Sequence, residues 1–441
     1  VTNIYYKCCN VGRINLIMKL RNFFVIIFIL SLFFNISASY ADSNDVNISA
    51  ESAVLIDSSS EKVLFSKDAE RKMYPASTTK ILTAILAIEN CNLDDVVTVP
   101  YEAISQIPSG YSVAALQAGE QITVEQLLKV MMVHSANDAA NVIAYHVSGS
   151  LEGFAGLMNQ KVADLGLEHT HFTNPSGMQN ENHYTTAHDL SLIMKYCMKN
   201  STFRTLAGLK SCIIPATNKY EERIFKTTND LLISDNRDVQ SNYYYRYAIA
   251  GKTGYTTEAK NCLVSVANKD GFELICVVLG VGVIPNNLSG KFLDTKNLFE
   301  YGYNNYAIKK IRDKNAIATQ ITISNATKET QNLDLLLSDD ITVLTSQNAS
   351  ESDFSPTITL NDNLFAPIAQ GQVIGKITYT VDGVDYSSDL IAANNVELSS
   401  SYVFAIQIVL IVIILFLLYK LLFGGNNKTK NYKRKSFRLF K

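Results

Sequence analysis

Apolar and polar positions change rhythm several times along this chain, and each change marks a different element. Ala53 to Ile56 and Val63 to Phe65 are short apolar runs on either side of the polar stretch Asp57 to Glu61, which predicts two strands joined by a solvated hairpin tip. After Pro75-Ala76, the positions Ile81, Leu82, Ala84, Ile85, Leu86 and Ile88 are apolar on most faces of a helix, as in a helix buried inside a domain. Helical spacing returns from Val124 to Val133 and from Asp138 through Val142, Ile143 and Val147, with a short turn between. Tyr247 to Thr256, Cys262 to Ala267 and Leu274 to Gly282 read as strands, the last two forming a hairpin about Lys269-Asp270-Gly271. From Ile311 to about Asn395 the pattern changes to short alternating segments, such as Ala318 to Ile323, Ile341 to Thr345 and Val373 to Val381, with a hairpin turn at Asp382-Gly383. Mixed helix and strand therefore give way near residue 310 to a small all-β unit.

Both ends carry long apolar runs. Phe23 to Phe34 follows Lys19 and Arg21 and precedes Ser37-Ala38-Ser39-Tyr40-Ala41, a signal-peptide pattern with cleavage expected after Ala41. Met18 heads that pattern, so the residues before it read as an upstream extension. Tyr402 to Phe423 is long enough to cross a bilayer, and Lys428, Lys430, Lys433, Arg434, Lys435, Arg438 and Lys441 follow it. The positive-inside rule places this basic tail, residues 424–441, in the cytoplasm and the bulk of the chain outside as a single-pass cell-membrane protein.

The net charge of −2 conceals an asymmetry: the two ends are basic, and the segment between them has 27 basic against 41 acidic groups. No basic patch suited to nucleic acid is evident. Cys91, Cys197, Cys212, Cys262 and Cys276 are isolated and odd in number, which predicts buried thiols and no disulfide framework. His169-x-His171 falls in a strand or turn without zinc-ligand spacing, and no HExxH string is present, so neither a metal nor another cofactor is expected.

Three short strings, in order, carry the candidate chemistry: Ser77-Thr78-Thr79-Lys80, Ser135-Ala136-Asn137 and Lys252-Thr253-Gly254. With Ser77 in the first turn of its helix, Lys80 at i+3 lies on the same face, beside unpaired backbone N–H groups suited to an oxyanion. Ser135 and Asn137 stand in the turn between two helices and can project into a cleft. Lys252 and Thr253 lie on a strand whose glycines permit close backbone approach by substrate. An ammonium and a hydroxyl there suit a terminal carboxylate. Two decoys are set aside by context: Ser59-Ser60-Glu61-Lys62 belongs to the hairpin tip, and Ser234-Asp235-Asn236 to a charged loop before a Tyr-rich strand.

In their contexts, Pro75 to Lys80, Ser135 to Ala140 and Gly251 to Thr256, these strings resemble the D-alanyl-D-alanine carboxypeptidase family of low-molecular-weight penicillin-binding proteins. Thr173-Asn174-Pro175-Ser176-Gly177 and Ala366 to Gln372 add to the likeness, which spans roughly Ile48 to Val396. It implies an α+β, β-lactamase/transpeptidase-like catalytic domain over residues 42–310, with an antiparallel sheet flanked by helices plus a helical subdomain. A β-sandwich-like domain over 311–396 follows as a spacer, then the membrane helix over 402–423. By resemblance, Ser77 is the nucleophile, Lys80 its base, and Ser135 the proton relay. Asn137, Lys252, Thr253, Gly254 and Tyr255 bind substrate, with the Ser77 and Tyr255 N–H groups as oxyanion hole. The implied partners are peptidoglycan stem peptides ending in D-Ala-D-Ala, β-lactams as acylating inhibitors, and the membrane through the C-terminal helix. A lysine serves as base only when its pKa is depressed, which burial and the charge of Lys252 favour.

Two positions depart from the family pattern. Ala250 stands where a glycine is frequent, and Lys260 where many relatives have a small residue. Two other readings compete. A class A-like β-lactamase shares the strings, yet no Glu-x-x-Leu-Asn string lies between Ser135 and Lys252, and the β unit and membrane span are foreign to it. A non-catalytic wall-binding scaffold is disfavoured by the intact Ser77, Lys80 and Lys252.

Overall fold

The structure, a computed structural model, describes residues 46–234, 243–283 and 289–423. The expected leader (1–41), the basic tail (424–441) and Asp235-Asn236 of the second decoy lie outside the described residues. Strands β1 (Ser52–Asp57), β2 (Val63–Lys67), β3 (Ala248–Thr256), β4 (Lys260–Lys269) and β5 (Phe272–Val281) form one antiparallel sheet in the order β2-β1-β5-β4-β3. Its strands are apolar at consecutive positions because both faces are covered. Val54, Ile56, Val264, Val266, Ile275 and Val277 face one core. That core includes apolar residues of α1 (Lys80–Asn90), α2 (Val124–Val133), α3 (Asn137–Ser148), α4 (Leu151–Asp164) and α5 (Ala187–Met198). The alternate positions Ala53, Leu55, Leu263, Leu274, Cys276 and Val278 face a second core with Phe292, Leu298 and Phe299 of α6 (Gly290–Asn305).

Local signals fix the two helices that flank the SxN turn. A capping box between Thr123 and Gln126 starts α2, and Gly149, at φ +78°, ends α3. Between them His134, Ser135 and Ala136 reverse the chain, with Ser135 in the left-handed region at φ +65°. At the hairpin tip Ser59 and Glu61 are exposed, as expected, and side-chain contacts hold its shape. Ser59 and Ser60 both donate to Asp57 Oδ2 at 2.6 Å, and Lys62 pairs with Asp382 at 2.5 Å.

Helix α6 passes without a loop into β6 (Tyr306–Arg312). The strands that follow are β7 (Ile317–Thr322), β8 (Asn332–Leu337), β9 (Ile341–Ser346), β10 (Pro356–Leu360), β11 (Val373–Val381) and β12 (Val384–Ala392). One sheet has the order β7-β8-β12-β11-β10, while β6 pairs with β9. Their shared core contains Leu333, Leu335, Leu337, Ile374, Ile377 and Leu390. The turn at Asp382-Gly383 has φ +50° and +81°, the positive-φ pair of a tight hairpin, as its sequence predicts. Last comes α7 (Ser400–Phe423), with its apolar side chains exposed. The architecture is the expected α+β catalytic fold, an all-β C-terminal domain and one apolar helix.

Candidate active site

Ser77 lies one turn earlier than expected, in a 3₁₀ turn over Ala76–Thr79 that leads into α1. Ala76 takes φ +48°, a strained value for alanine, and its surroundings explain why it holds. A Cβ on Gly177 would stand 1.8 Å from Ala76 O, so only glycine lets the Thr173–Gly177 segment press against this turn. From above, Thr78 and Thr79 donate their hydroxyls to Pro75 O (2.7 Å) and Ala76 O (2.8 Å). His183 completes the brace. Thr173 N donates to its Nδ1 at 3.1 Å, so the ring proton belongs on Nε2, which then donates to Thr79 Oγ1 at 2.8 Å. Burial, then the charges of His171 and Lys80, depress the His183 pKa to about 3, so it stays neutral.

Lys80 opens α1 and is fully buried. Its Nζ contacts Ser77 Oγ (2.9 Å), Asn137 Oδ1 (2.7 Å) and Ser176 O (2.6 Å). The Ser176 carbonyl is presented by Asn174, whose Oδ1 accepts from the N–H groups of Ser176, Gly177 and Met178. Opposite, Lys252 Nζ donates to Ser135 Oγ and to Thr253 O, each at 2.8 Å. Thr253 Oγ1 meets Thr228 Oγ1 at 2.5 Å. These contacts form two clusters, Ser77–Lys80–Asn137 and Ser135–Lys252–Thr253, and Ser77, Ser135, Asn137 and Thr253 face one cleft. Gly254 and Tyr255 line the same cleft, of about 580 Å³.

Glycine at Gly254 answers to the chain itself. A Cβ there would come within 2.9 Å of Pro75 O and 3.1 Å of Ser77 N, so β3 and the 3₁₀ turn that holds Ser77 touch through it. Lys260 sits at φ +56°, a conformation that suits the small residue frequent there, and its ammonium pairs with Glu51.

The lysines are electrostatically unusual. Burial first, and the Lys252 charge second, hold the Lys80 pKa well below the ordinary lysine value, against a partial opposing pull from Asp138. Burial, then Lys291, lowers Lys252 to about 7. Lys291 lines the cleft and donates to Asn261 Oδ1 at 3.1 Å. Asp138 is buried under the SxN turn, where Oδ1 and Oδ2 accept from Ala114 N (2.8 Å) and Leu116 N (3.0 Å) and so tie down the loop across the cleft. Thr228, His183 and Lys291 carry no string that marks them, whereas Asp138 falls within Ser135 to Ala140 and Ser176 within Thr173–Gly177, and what Ser176 gives Lys80 is a backbone carbonyl.

The five described cysteines are all unpaired; four are buried and Cys91 is partly so. Burial raises the Cys212 and Cys262 thiols to about 11.

Comparisons with known proteins identify the family. Residues 38–282 match the family model described as D-alanyl-D-alanine carboxypeptidase, and residues 306–398 match the C-terminal domain of penicillin-binding protein 5. The chain is 30% identical over 351 residues to D-alanyl-D-alanine carboxypeptidase DacF of Bacillus subtilis, covering 78% of this chain and 85% of that one. It is 28% identical to the carboxypeptidase DacA of Haemophilus influenzae, covering 81% and 90%. Penicillin-binding protein 5 of Haemophilus influenzae superposes with a TM-score of 0.61 at 27% identity, over 80% of this chain and 98% of that structure. With both its catalytic and C-terminal parts matched in this way, the chain belongs to the D-alanyl-D-alanine carboxypeptidase family of low-molecular-weight serine penicillin-binding proteins.

Proposed function

We propose that this serine peptidase removes the terminal D-alanine from peptidoglycan pentapeptides through an acyl-enzyme on Ser77, and that β-lactams acylate the same hydroxyl. The observation that carries the reading is the coordination of Lys80 Nζ. A neutral amine has two N–H bonds and one lone pair. Ser176 O and Asn137 Oδ1 can take the two donors, which leaves the lone pair directed at the Ser77 hydroxyl. As Ser77 Oγ attacks the carbonyl carbon of the penultimate D-alanine, its proton passes to Lys80 and the negative charge moves to the carbonyl oxygen, beside the N–H groups of Ser77 and Tyr255. Collapse breaks the peptide bond; Ser135 delivers a proton to the departing amine and takes in its place the one Lys80 removed from Ser77, which leaves Lys80 neutral again. Water then cleaves the ester and restores the serine.

Asn137 uses its carbonyl on Lys80, leaving its amide NH₂ to hold the substrate backbone. Lys252 and Thr253 receive the terminal carboxylate. We further propose that residues 42–310 form the catalytic domain and 311–396 the spacer, with the C-terminal helix crossing the cell membrane, the catalytic domain outside and the basic tail inside. The apolar length of α7 supports this anchoring.

The test is release of free D-alanine from a D-Ala-D-Ala pentapeptide, with Ser77→Ala as control. Loss on the order of 10⁴–10⁶-fold is expected. A labelled penicillin adduct should map to Ser77; mapping to any other side chain overturns the assignment.

A further inference from the structure

We infer that Phe365, on the C-terminal domain, enters the interfacial layer of the bilayer beside the helix that anchors the chain, so that this domain rests on the membrane. The inference builds on the membrane-spanning reading of α7. Three backbone segments lie side by side where the domain meets the helix. Leu398 pairs with Ala326, Ser399 N donates to Asn325 O at 2.8 Å, and Ser324 pairs with Phe365, whose neighbour Ala366 donates its N–H to Ser324 O at 3.0 Å. Adjacent segments in such pairing lie about 4.8 Å apart, so Phe365 sits within roughly 10 Å of the residue before the helix.

Helix length sets the depth of that residue. Twenty-four helical residues extend about 36 Å, somewhat more than the ~30 Å hydrocarbon core. The first turn, with Tyr402 about half exposed, therefore falls in the headgroup layer, where aromatic side chains collect. Ser399 and its paired segments lie at its edge. Phe365 is 51% exposed there, while Ala366 and Ile368 beside it are buried in the domain core. A large apolar ring turned out of a packed loop at this level fits lipid.

The sequence has no tryptophan, so a single one reports its own surroundings. The full chain would be placed in vesicles with brominated phosphatidylcholine as Phe365→Trp, with Phe416→Trp in mid-helix and Ile224→Trp on the exposed face of the catalytic domain for reference. D-alanine release verifies that each variant is folded. Expected are blue-shifted emission and quenching at position 365, strongest with bromines placed near the headgroups, deep quenching at 416 and none at 224. Quenching at 416 with 365 behaving like 224 overturns the inference and leaves the anchor standing. Absence of quenching at 416 overturns the anchor reading and, with it, the inference.

Discussion

At the residue scale, two buried lysines are asked to hold opposite protonation states. In the proposed cycle Lys80 is neutral, to accept a proton, while Lys252 is charged, to receive a carboxylate. Because Lys252 has a pKa of about 7, kcat/KM for D-alanine release is expected to decline above that pH as the ammonium is lost. Lys291 contributes to that low value through its positive charge, so Lys291→Ala is expected to move the alkaline limb upward. A pH profile over roughly pH 5 to 10 measures this, and an unmoved limb would refute the coupling. Stability carries the same signature. Folded Lys252 titrates below the ordinary lysine value of 10.5, so between pH 7 and 10.5 the unfolded chain binds more protons and stability rises with pH. Below about pH 7 both states are protonated, and the cost of burying the charge is complete.

At the scale of elements, the site is a meeting of three backbone pieces held close by glycine: the 3₁₀ turn, the Thr173–Gly177 segment and β3. Gly177→Ala places a methyl group onto Ala76 O and must displace Ser77, the proposed nucleophile. A shift near 1 Å at a reacting atom costs on the order of 100-fold. Acylation by labelled penicillin is expected to slow by about that factor, and wild-type rates in the folded variant would refute the account. These contacts also explain what the sequence made legible. Ser77 and Lys80 are separated by one turn, and the helices around Ser135 have clear periodicity with a capping box, so their placement was readable from neighbours in the chain. The third wall of the Lys80 site was not. It is a carbonyl 96 residues away, and a carbonyl has no residue type to read. His183 acts through Thr79, 104 residues distant, and so left no local trace either. The hairpin β11–β12 was legible because turn residues and alternation agree, and β4–β5 because two apolar runs flank Lys269-Asp270-Gly271. Val96–Thr98 with Gln121–Thr123 is a pairing of very short strands, set by tertiary contact and not by pattern.

At the scale of the whole molecule, the catalytic and C-terminal domains share apolar packing. Leu344 of β9 is buried in the second core of the catalytic domain, together with Leu55, Phe65 and Tyr303, and Tyr386 of β12 packs against the same cluster. Leu344→Ala is expected to cost about 2–5 kcal/mol, as for other large-to-small core changes. Because the residue joins the two domains, thermal unfolding of the variant should separate into two transitions where the parent shows more overlap. A single, merely lowered transition in calorimetry would show that the shared packing does not couple them.

The junctions of the chain have a mechanical consequence. Asn305 is followed directly by a strand residue, and Ser399, hydrogen-bonded to Asn325, by the helix. If α7 crosses the membrane as proposed, an enzyme built this way would have no slack tether at either joint, and its catalytic mouth would be held at one altitude above the lipid, like a tool on a fixed post.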